Sequence, residues 1–189
     1  MDARPFRTEA SLEAERARRA QVAPMLRQHG FDVLEDDRIT RGTSISQIIT
    51  ACDPDGRPLK LRVRLCWRQD GGRPGKGTYS AAQLRARLKD DDWDKTLAYI
   101  VEREREQGNT HNLLVQNDNT GFVWAALIPS EALRGIWEGQ RAASTALIDA
   151  GKAGRRAKNH AANGSSPTLW LQDDRTPAAR AVADVLWTW

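Results

Sequence analysis

Alternation of apolar and basic residues from Leu59 to Trp67 is the feature that most constrains the fold of this chain. Leucine and valine at positions 59, 61, 63 and 65 alternate with Lys60, Arg62 and Arg64. Successive side chains of a β-strand point to opposite faces, so this period of two predicts a strand with its apolar side chains in the core. The opposite face carries the three cations, and it is either a solvated sheet face or a surface that follows a phosphate backbone.

Two turn sequences place this strand and three others in β-hairpins. Asp53 to Gly56 reads Asp-Pro-Asp-Gly and joins the β-rich run Ser46 to Cys52 to the alternating strand. Asn117 to Gly121 separates a second pair of strand-like runs, His111 to Gln116 and Phe122 to Ile128. We therefore predict two antiparallel hairpins.

Helical segments surround these hairpins. Ser11 is predicted to cap a helix that ends at Gly30 and that Pro24 kinks or divides. A short strand at Phe31 to Leu34 and an acidic, polar loop come next. The remaining predicted elements are helices at Ser80 to Lys89, Trp93 to Glu106, Ser130 through Ile148 and Pro177 to Trp187, and a short apolar piece at Thr168 to Leu171.

This order of elements predicts an α+β (mixed α/β) fold in which antiparallel β-hairpins pack against helices, because no regular βαβ repeat is present. Residues 1–30 are predicted to form an N-terminal helical appendage, and residues 31–189 a single domain. A chain of 189 residues suits one sizeable core better than two.

Composition indicates a reduced, cytoplasmic protein. The two cysteines, Cys52 and Cys66, fall in strand-like runs and lack C-x-x-C spacing, so they make no disulfide framework. No apolar run approaches the roughly 18 residues of a membrane span, and the N-terminus has no apolar core of a signal peptide. The formal net charge is +4, with the basic residues unevenly placed along the chain.

The segment Gly151 to Pro167, with the sequence GKAGRRAKNHAANGSSP, concentrates basic residues and contains no acid. Its small residues let the backbone approach a ligand, and its side chains supply donors for phosphates and base edges. We interpret it as a nucleic-acid contact loop, and the alternative is a flexible basic linker between helices. Patterned structure on both sides favours the first interpretation. The basic residues are Lys152, Arg155, Arg156 and Lys158.

A second glycine-rich segment, residues 70–77, reads DGGRPGKG and carries a net positive charge. It does not fit the phosphate loop of nucleotide-binding proteins, because Gly77 follows Lys76 where that loop requires serine or threonine. Its glycines allow close approach of the backbone to a ligand.

Catalytic motifs are missing from the sequence. Histidines at 29, 111 and 160 are too scattered for a metal site, and no G-x-S-x-G nucleophile turn occurs. We therefore predict a protein that is not an enzyme and that uses no cofactor or metal. The alternative is a metal-dependent nuclease, or a nuclease subunit, whose acids gather near the first hairpin; these acids are Asp36, Asp37, Asp53 and Asp55.

A long stretch of the chain resembles the N-terminal DNA-recognition domain of McrA-type modification-dependent restriction endonucleases. The likeness lies in WDKTLAYIVEREREQGNTHNLLVQNDNTGFVWAALIPSEALRGIWEGQ, from Trp93, and more specifically in GRRAKNHAANGSSPTLWLQDDR. It extends loosely over roughly residues 45–187. The resemblance implies that residues 31–189 recognise double-stranded DNA carrying 5-methylcytosine.

In that family a separate C-terminal HNH domain cuts the DNA, whereas this chain ends at Trp189. The resemblance therefore implies a reader of methylated DNA without an attached nuclease, associated with the nucleoid. It acts either as a binding protein or with a nuclease partner in trans.

An aromatic side chain beside the glycine-rich segment is the predicted sensor of the methyl group. The 5-methyl group projects into the major groove, where an apolar contact detects it without flipping the base. The resemblance implies this role for Trp67, with Tyr79 as a second candidate, while strict alternation would place Trp67 in the core. Arg68 suits guanine O6 and N7. The predicted DNA-binding residues are Arg64, Trp67, Arg68, Arg73, Lys76, Tyr79, Lys152, Arg155, Arg156, Lys158, Asn159, His160, Asn163 and Ser165.

Overall fold

Eight strands and four α-helices make up the part of the chain that a computed structural model describes. The described residues are 8–67, 83–85, 89–90, 92–117, 121–151, 168–170 and 185–188. The helices are α1 (Glu9–Ala20), α2 (Val22–Gln28), α3 (Trp93–Glu106) and α4 (Leu133–Asp149), with a 3-10 turn at Ser130–Ala132. The strands are β1 (Asp32–Arg41), β2 (Ser44–Cys52), β3 (Pro58–Trp67), β4 (Gln83–Arg85), β5 (His111–Asn117), β6 (Phe122–Pro129), β7 (Thr168–Trp170) and β8 (Val185–Thr188).

The fold class is α+β, with antiparallel hairpins packed against helices and a helix near the N-terminus, as predicted. Contacts divide the chain into two compact units, Met1–Val63 and Arg64–Trp189. The division of the chain into an N-terminal helical appendage, residues 1–30, and a domain, residues 31–189, stays a prediction. The structure groups α1 and α2 with β1 and β2 in the first unit, because α2 packs against β1.

Pro24 divides the N-terminal helical segment. The ring of a proline clashes with the carbonyl four residues earlier, which here belongs to Ala20, the last residue of α1. Within α2, Pro24 lies in the first turn, where a missing amide N–H breaks no hydrogen bond of the helix. The predicted cap at Ser11 is wrong, because α1 begins after Thr8, whose Oγ1 accepts a hydrogen bond from the Ser11 amide at 3.2 Å.

The acidic stretch after Phe31 is a strand and not the predicted loop. β1 continues to Arg41 and pairs with β2 in antiparallel register. Gly42 and Thr43 close this hairpin, and the φ of +57° at Gly42 fits a two-residue type II′ turn. Acidic residues are unfavourable in most strands, but β1 is an edge strand whose acids are largely exposed, and charge is tolerated there.

The hairpin formed by β2 and β3 is confirmed, with Cys52 opposite Pro58 around the predicted turn. The odd-numbered residues from 59 to 63 are buried, whereas Lys60 and Arg62 between them keep part of their surface exposed. The first unit therefore has the strand order β1-β2-β3, with an apolar and a charged face.

The second unit has the strand order β3, from Arg64 onward, then β5, β6 and β8. β5 and β6 form the second predicted hairpin. α3 has the predicted bounds, and Asp92 caps it by accepting a hydrogen bond at Oδ1 from the Lys95 amide at 2.9 Å. Helices α3 and α4 contact this hairpin through one apolar cluster: Leu97, Ile100, Leu114, Ala126, Ile128, Leu133, Ile136 and Trp137.

Two predicted helices are strands where the structure describes them. Gln83–Arg85 pairs with β7, and Val185–Thr188 pairs with β6, so helix predictions over these residues were wrong. The sequence Val-Leu-Trp-Thr of β8 is rich in β-branched and aromatic residues, which favour strands. Its pairing partner is about 60 residues away in sequence, and local patterns do not report such a partner.

The composition predicted reduced cysteines and no membrane-spanning segment. Cys52 and Cys66 carry free thiols and are half-buried. Within the described residues, no helix combines the length and the apolar character needed to cross a membrane.

Candidate nucleic-acid interface

Most of the predicted DNA-binding residues lie in two segments outside the described residues. Residues 68–82 contain Arg68, Arg73, Lys76 and Tyr79. Residues 152–167 contain the others: Lys152, Arg155, Arg156, Lys158, Asn159, His160, Asn163 and Ser165. The structure describes where these segments leave and rejoin the fold, together with Arg64 and the backbone of Trp67.

The two basic segments rejoin the fold at strands that pair with each other. Residues 68–82 connect β3 to β4, and residues 152–167 connect the end of α4 to β7. β4 and β7 form an antiparallel two-stranded sheet in which Arg85 lies opposite Thr168. Gln83 and Thr168, the first residues after the two segments, are therefore on the order of 10 Å apart. One small sheet anchors both segments.

Gly151 stands between α4 and the second basic segment. Its φ is +67°, a left-handed conformation that commonly ends helices, and the Ala150 amide still donates to the Ala146 carbonyl at 3.0 Å. The C-terminal end of a helix carries a partial negative charge that stabilises nearby cations.

Arg64 is a predicted DNA contact whose guanidinium already has partners within the second unit. Its Nε donates to Oδ1 of Asn112 at 3.0 Å, and its Nη2 donates to Oε1 of Glu104 at 3.0 Å. The Arg64 side chain keeps 23% of its surface exposed, whereas that of Glu104 keeps none. These contacts account for the position of Arg64 without a ligand, and a DNA contact by Arg64 stays a prediction.

Glu104 is the centre of a buried polar network between α3 and its neighbours. Its Oε1 also accepts from Arg103 Nη2 at 3.0 Å, and its Oε2 accepts from Asn109 Nδ2 at 2.7 Å. A carboxylate without water is stable only when donors replace its hydration, and here three side chains do so. The network fixes the end of α3 against β3.

Asn117 ties the last residues of β3 to the second hairpin. Its Nδ2 donates to the backbone carbonyl of Cys66 at 2.8 Å, and its own side chain is fully buried. The burial alternation of β3 holds through Val63, but Leu65 and Cys66 are both half-buried. The alternating pattern has therefore faded before Trp67, the last residue of β3. The side chain of Trp67 lies outside what the structure describes.

Sequence reasoning missed the polar residues that position β3. Asn112 is fully buried and donates through Nδ2 to Ser130 Oγ at 3.0 Å, so it joins β5 to the turn before α4. Polar residues within a strand that reads His-Asn-Leu-Leu-Val-Gln-Asn were the available signal, because buried asparagine requires hydrogen-bond partners. The sequence alone could not identify those partners, since Arg64 and Glu104 are distant from each other in sequence.

The charged face of the first unit carries cations on β3 and acids on β1. Lys60 lies opposite Thr50, which lies opposite Glu35 on β1. Arg62 lies opposite Ile48, which lies opposite Asp37. The cations of β3 thus face a row of acids two strands away, which favours the solvated sheet face for Lys60 and Arg62.

A shallow groove of about 560 Å³ runs along the exposed side of α3. Tyr99, 47% exposed, lines the groove, with Lys89 Nζ 4.5 Å and the Arg103 guanidinium 5.7 Å from its ring centroid. Both distances suit cation–π contacts. The lining holds equal numbers of basic and acidic side chains, so its charge does not favour a nucleic acid: Lys89, Lys95 and Arg103 against Asp90, Glu102 and Glu106.

Asp53, one of the acids in the alternative hypothesis of a metal-dependent nuclease, accepts hydrogen bonds within its own turn. Its Oδ1 accepts hydrogen bonds from the amides of Asp55 at 3.0 Å and Arg57 at 2.8 Å, and the Arg57 guanidinium contacts Oδ2. Burial raises the pKa of Asp53, but the hydrogen bonds and charge of Arg57 and the Asp55 amide outweigh it, and the pKa lies below its usual value. Among the described residues, no three His, Cys, Asp or Glu side chains gather as a metal site.

Comparison of the chain with protein-family models, with curated proteins and with solved structures finds no match.

Proposed function

We propose that this chain binds double-stranded DNA carrying 5-methylcytosine and acts as a non-catalytic reader. The observation that supports this function best is the pairing of β4 with β7, because it anchors both basic segments at one small sheet. A flexible linker has no need for its end to pair with the end of another basic segment. Two basic segments whose C-terminal ends lie close together can contact one ligand together.

The basic segments supply the phosphate contacts. Lys152, Arg155, Arg156 and Lys158 lie in one, and Arg73 and Lys76 lie in the other. Lysine and arginine that neutralise phosphates release counterions, so the affinity falls as the salt concentration rises. Phosphate contacts orient the protein on the duplex but do not distinguish a methylated base.

Trp67 supplies the methyl contact in this proposal. The fading of the burial alternation before Trp67 supports it, because the pleat no longer requires the indole to lie in the core. The 5-methyl group lies in the major groove, where an aromatic face detects it by apolar contact. The resemblance to the DNA-recognition domain of McrA-type endonucleases supports the same ligand, and association with the nucleoid follows from it.

The function is tested by titrating labelled duplexes of one sequence, methylated and unmethylated, with the purified full chain. We expect tighter binding of the methylated duplex and no DNA cleavage with Mg²⁺ or Mn²⁺. Equal affinity for both duplexes would contradict the proposed recognition of 5-methylcytosine. Cleavage that a chelator abolishes would instead establish a metal-dependent nuclease.

A further inference from the structure

The β1–β2 hairpin extends beyond the part of β2 that is described as paired with β3. The described register pairs β3 with β2 from Ile48 to Cys52, and β1 pairs with β2 as far as Ser44. Residues 38–46, which we call the distal ribbon, are exposed at every position except Ile45. Gln47 holds its base, because its Nε2 donates to the Arg19 carbonyl at 3.0 Å and to Asp36 Oδ1 at 2.7 Å.

Charge is segregated along β1. The half of β1 that lies two strands from the cations of β3 carries only acids, and the half in the distal ribbon carries only bases. No acidic residue lies between Asp37 and Asp53. Arg38 Nε lies 3.5 Å from Oδ2 of Asp36 at the base of the ribbon and the Arg38 side chain stays 43% exposed, whereas Arg41 lies beside the tip. The acids are Asp32, Glu35, Asp36 and Asp37, and the bases are Arg38 and Arg41.

The dimensions of the distal ribbon suit the major groove of DNA. Two strands lie about 5 Å apart, and with their side chains they fit a groove about 12 Å wide. Four paired residues, Arg38 to Arg41, extend about 13 Å, enough for a groove about 8.5 Å deep. Gly42, with φ +57° and open space around its Cα, makes the tip narrow.

The side chains of the ribbon are those that duplex DNA accepts. Hydroxyl groups of Thr40 and Ser44 can donate to phosphate oxygens, whereas the Ser46 hydroxyl donates to the Ile39 carbonyl at 3.3 Å. Ile39 is 51% exposed, and an exposed apolar side chain in the major groove can contact the methyl group of thymine or 5-methylcytosine. Arginine binds phosphates and guanine with two parallel hydrogen bonds.

We propose that the distal ribbon enters the major groove of duplex DNA, with Arg38 and Arg41 on phosphates at the groove edges. This contact rests on the proposed function and adds to it an element of the first unit, outside the two basic segments. Charge complementarity and the width of a two-stranded ribbon identify the occupant as duplex nucleic acid.

The test compares three double variants of the full chain in duplex binding over a series of salt concentrations. Arg38→Ala with Arg41→Ala removes the two charges, and Arg38→Lys with Arg41→Lys keeps them. Arg16→Ala with Arg18→Ala removes the same charge from α1, where Arg16 is exposed and Arg18 is half-buried. Circular dichroism verifies the fold of each variant, and sedimentation reports its oligomeric state.

The alanine variant of the ribbon should bind duplex DNA at least tenfold more weakly, with a slope of log affinity against log salt that is shallower by about two. The lysine variant should keep the slope of the unsubstituted chain, and the α1 variant should bind within twofold of it. If the alanine variant binds as tightly as the unsubstituted chain, the ribbon contact is wrong and the proposed function stands.

If the unsubstituted chain binds no duplex, the proposed function and the ribbon contact are both wrong. A ribbon substitution that changes the oligomeric state and leaves DNA affinity intact would identify a second copy of the chain as the occupant. That result would also overturn the contact with DNA.

Discussion

Arg64 Nη2 lies 3.0 Å from Oε1 of Glu104, and the Glu104 side chain has no exposed surface. A cation on the strand predicted to face DNA thus neutralises a carboxylate buried at the end of α3. Arg103 and Asn109 complete the set of donors around Glu104. Arg64 therefore stabilises the second unit whether or not DNA is bound.

Glu104→Gln should lower the free energy of unfolding by about 3 kcal/mol, because it leaves Arg64 and Arg103 facing a neutral group in a buried site. Urea unfolding measures the change. Glu102→Gln is the matched control, since Glu102 is exposed on the same helix and its ion pair with Arg105 should be worth less than about 1 kcal/mol. Equal losses in the two variants would show that the Glu104 network does not stabilise the fold.

Gly108→Ala should destabilise the protein by about 1 kcal/mol, because Gly108 has φ +65° after α3 and alanine is strained in that conformation. Gly139→Ala, inside α4 with open space around it, should instead stabilise by up to about 1 kcal/mol. Thermal unfolding of the two variants reports the opposite signs. Stabilisation by Gly108→Ala would contradict the described end of α3.

Asp53 should make the stability depend on pH in the acid range. Its native pKa is lowered, so the stability it contributes is fully present above the ordinary aspartate pKa of about 3.9 and is lost as the pH falls through the native value. Asp53→Asn should therefore flatten the decline of melting temperature between neutral and acid pH. Asp55→Asn, at an exposed position of the same turn, should leave the decline unchanged. An equal flattening in both variants would contradict the role of Asp53.

Arg155→Ala with Arg156→Ala should weaken binding to methylated and unmethylated duplexes alike, because phosphate contacts are insensitive to the base. The slope of log affinity against log salt should become shallower by about two. Arg105→Ala with Arg134→Ala removes the same charge from exposed helix positions of the second unit and serves as control. If the control lowers the affinity as much, net charge and not the basic segment governs binding.

Local patterns predicted the parts of the fold that local physics determines. Asp53 to Gly56 and Asn117 to Gly121 marked the two hairpins correctly, because turn residues impose their own backbone conformations. The period of two from Leu59 correctly assigned the two faces of β3 through Val63. Pro24 marked a break whose position follows from its clash with the carbonyl of Ala20.

Elements that depend on distant partners were missed. β8 forms a strand by pairing with β6, and the acidic β1 forms one by pairing with β2 at the sheet edge. The burial of Glu104 also depends on Arg64, 40 residues away. For the candidate site, the sequence identified the two basic segments, but the pairing of β4 with β7 that joins their ends appeared only in the folded chain.

The most direct test of the central claim is the ratio of dissociation constants for unmethylated and methylated duplexes of one sequence, measured by anisotropy at one fixed salt concentration. We predict a ratio of at least ten for the unsubstituted chain and a ratio near one for Trp67→Ala, in a variant that circular dichroism shows to be folded. A ratio of one for the unsubstituted chain would contradict the reading of 5-methylcytosine. Unfolding of Trp67→Ala would place Trp67 in the core, and a folded Trp67→Ala variant that keeps the full ratio would move the methyl contact to another residue.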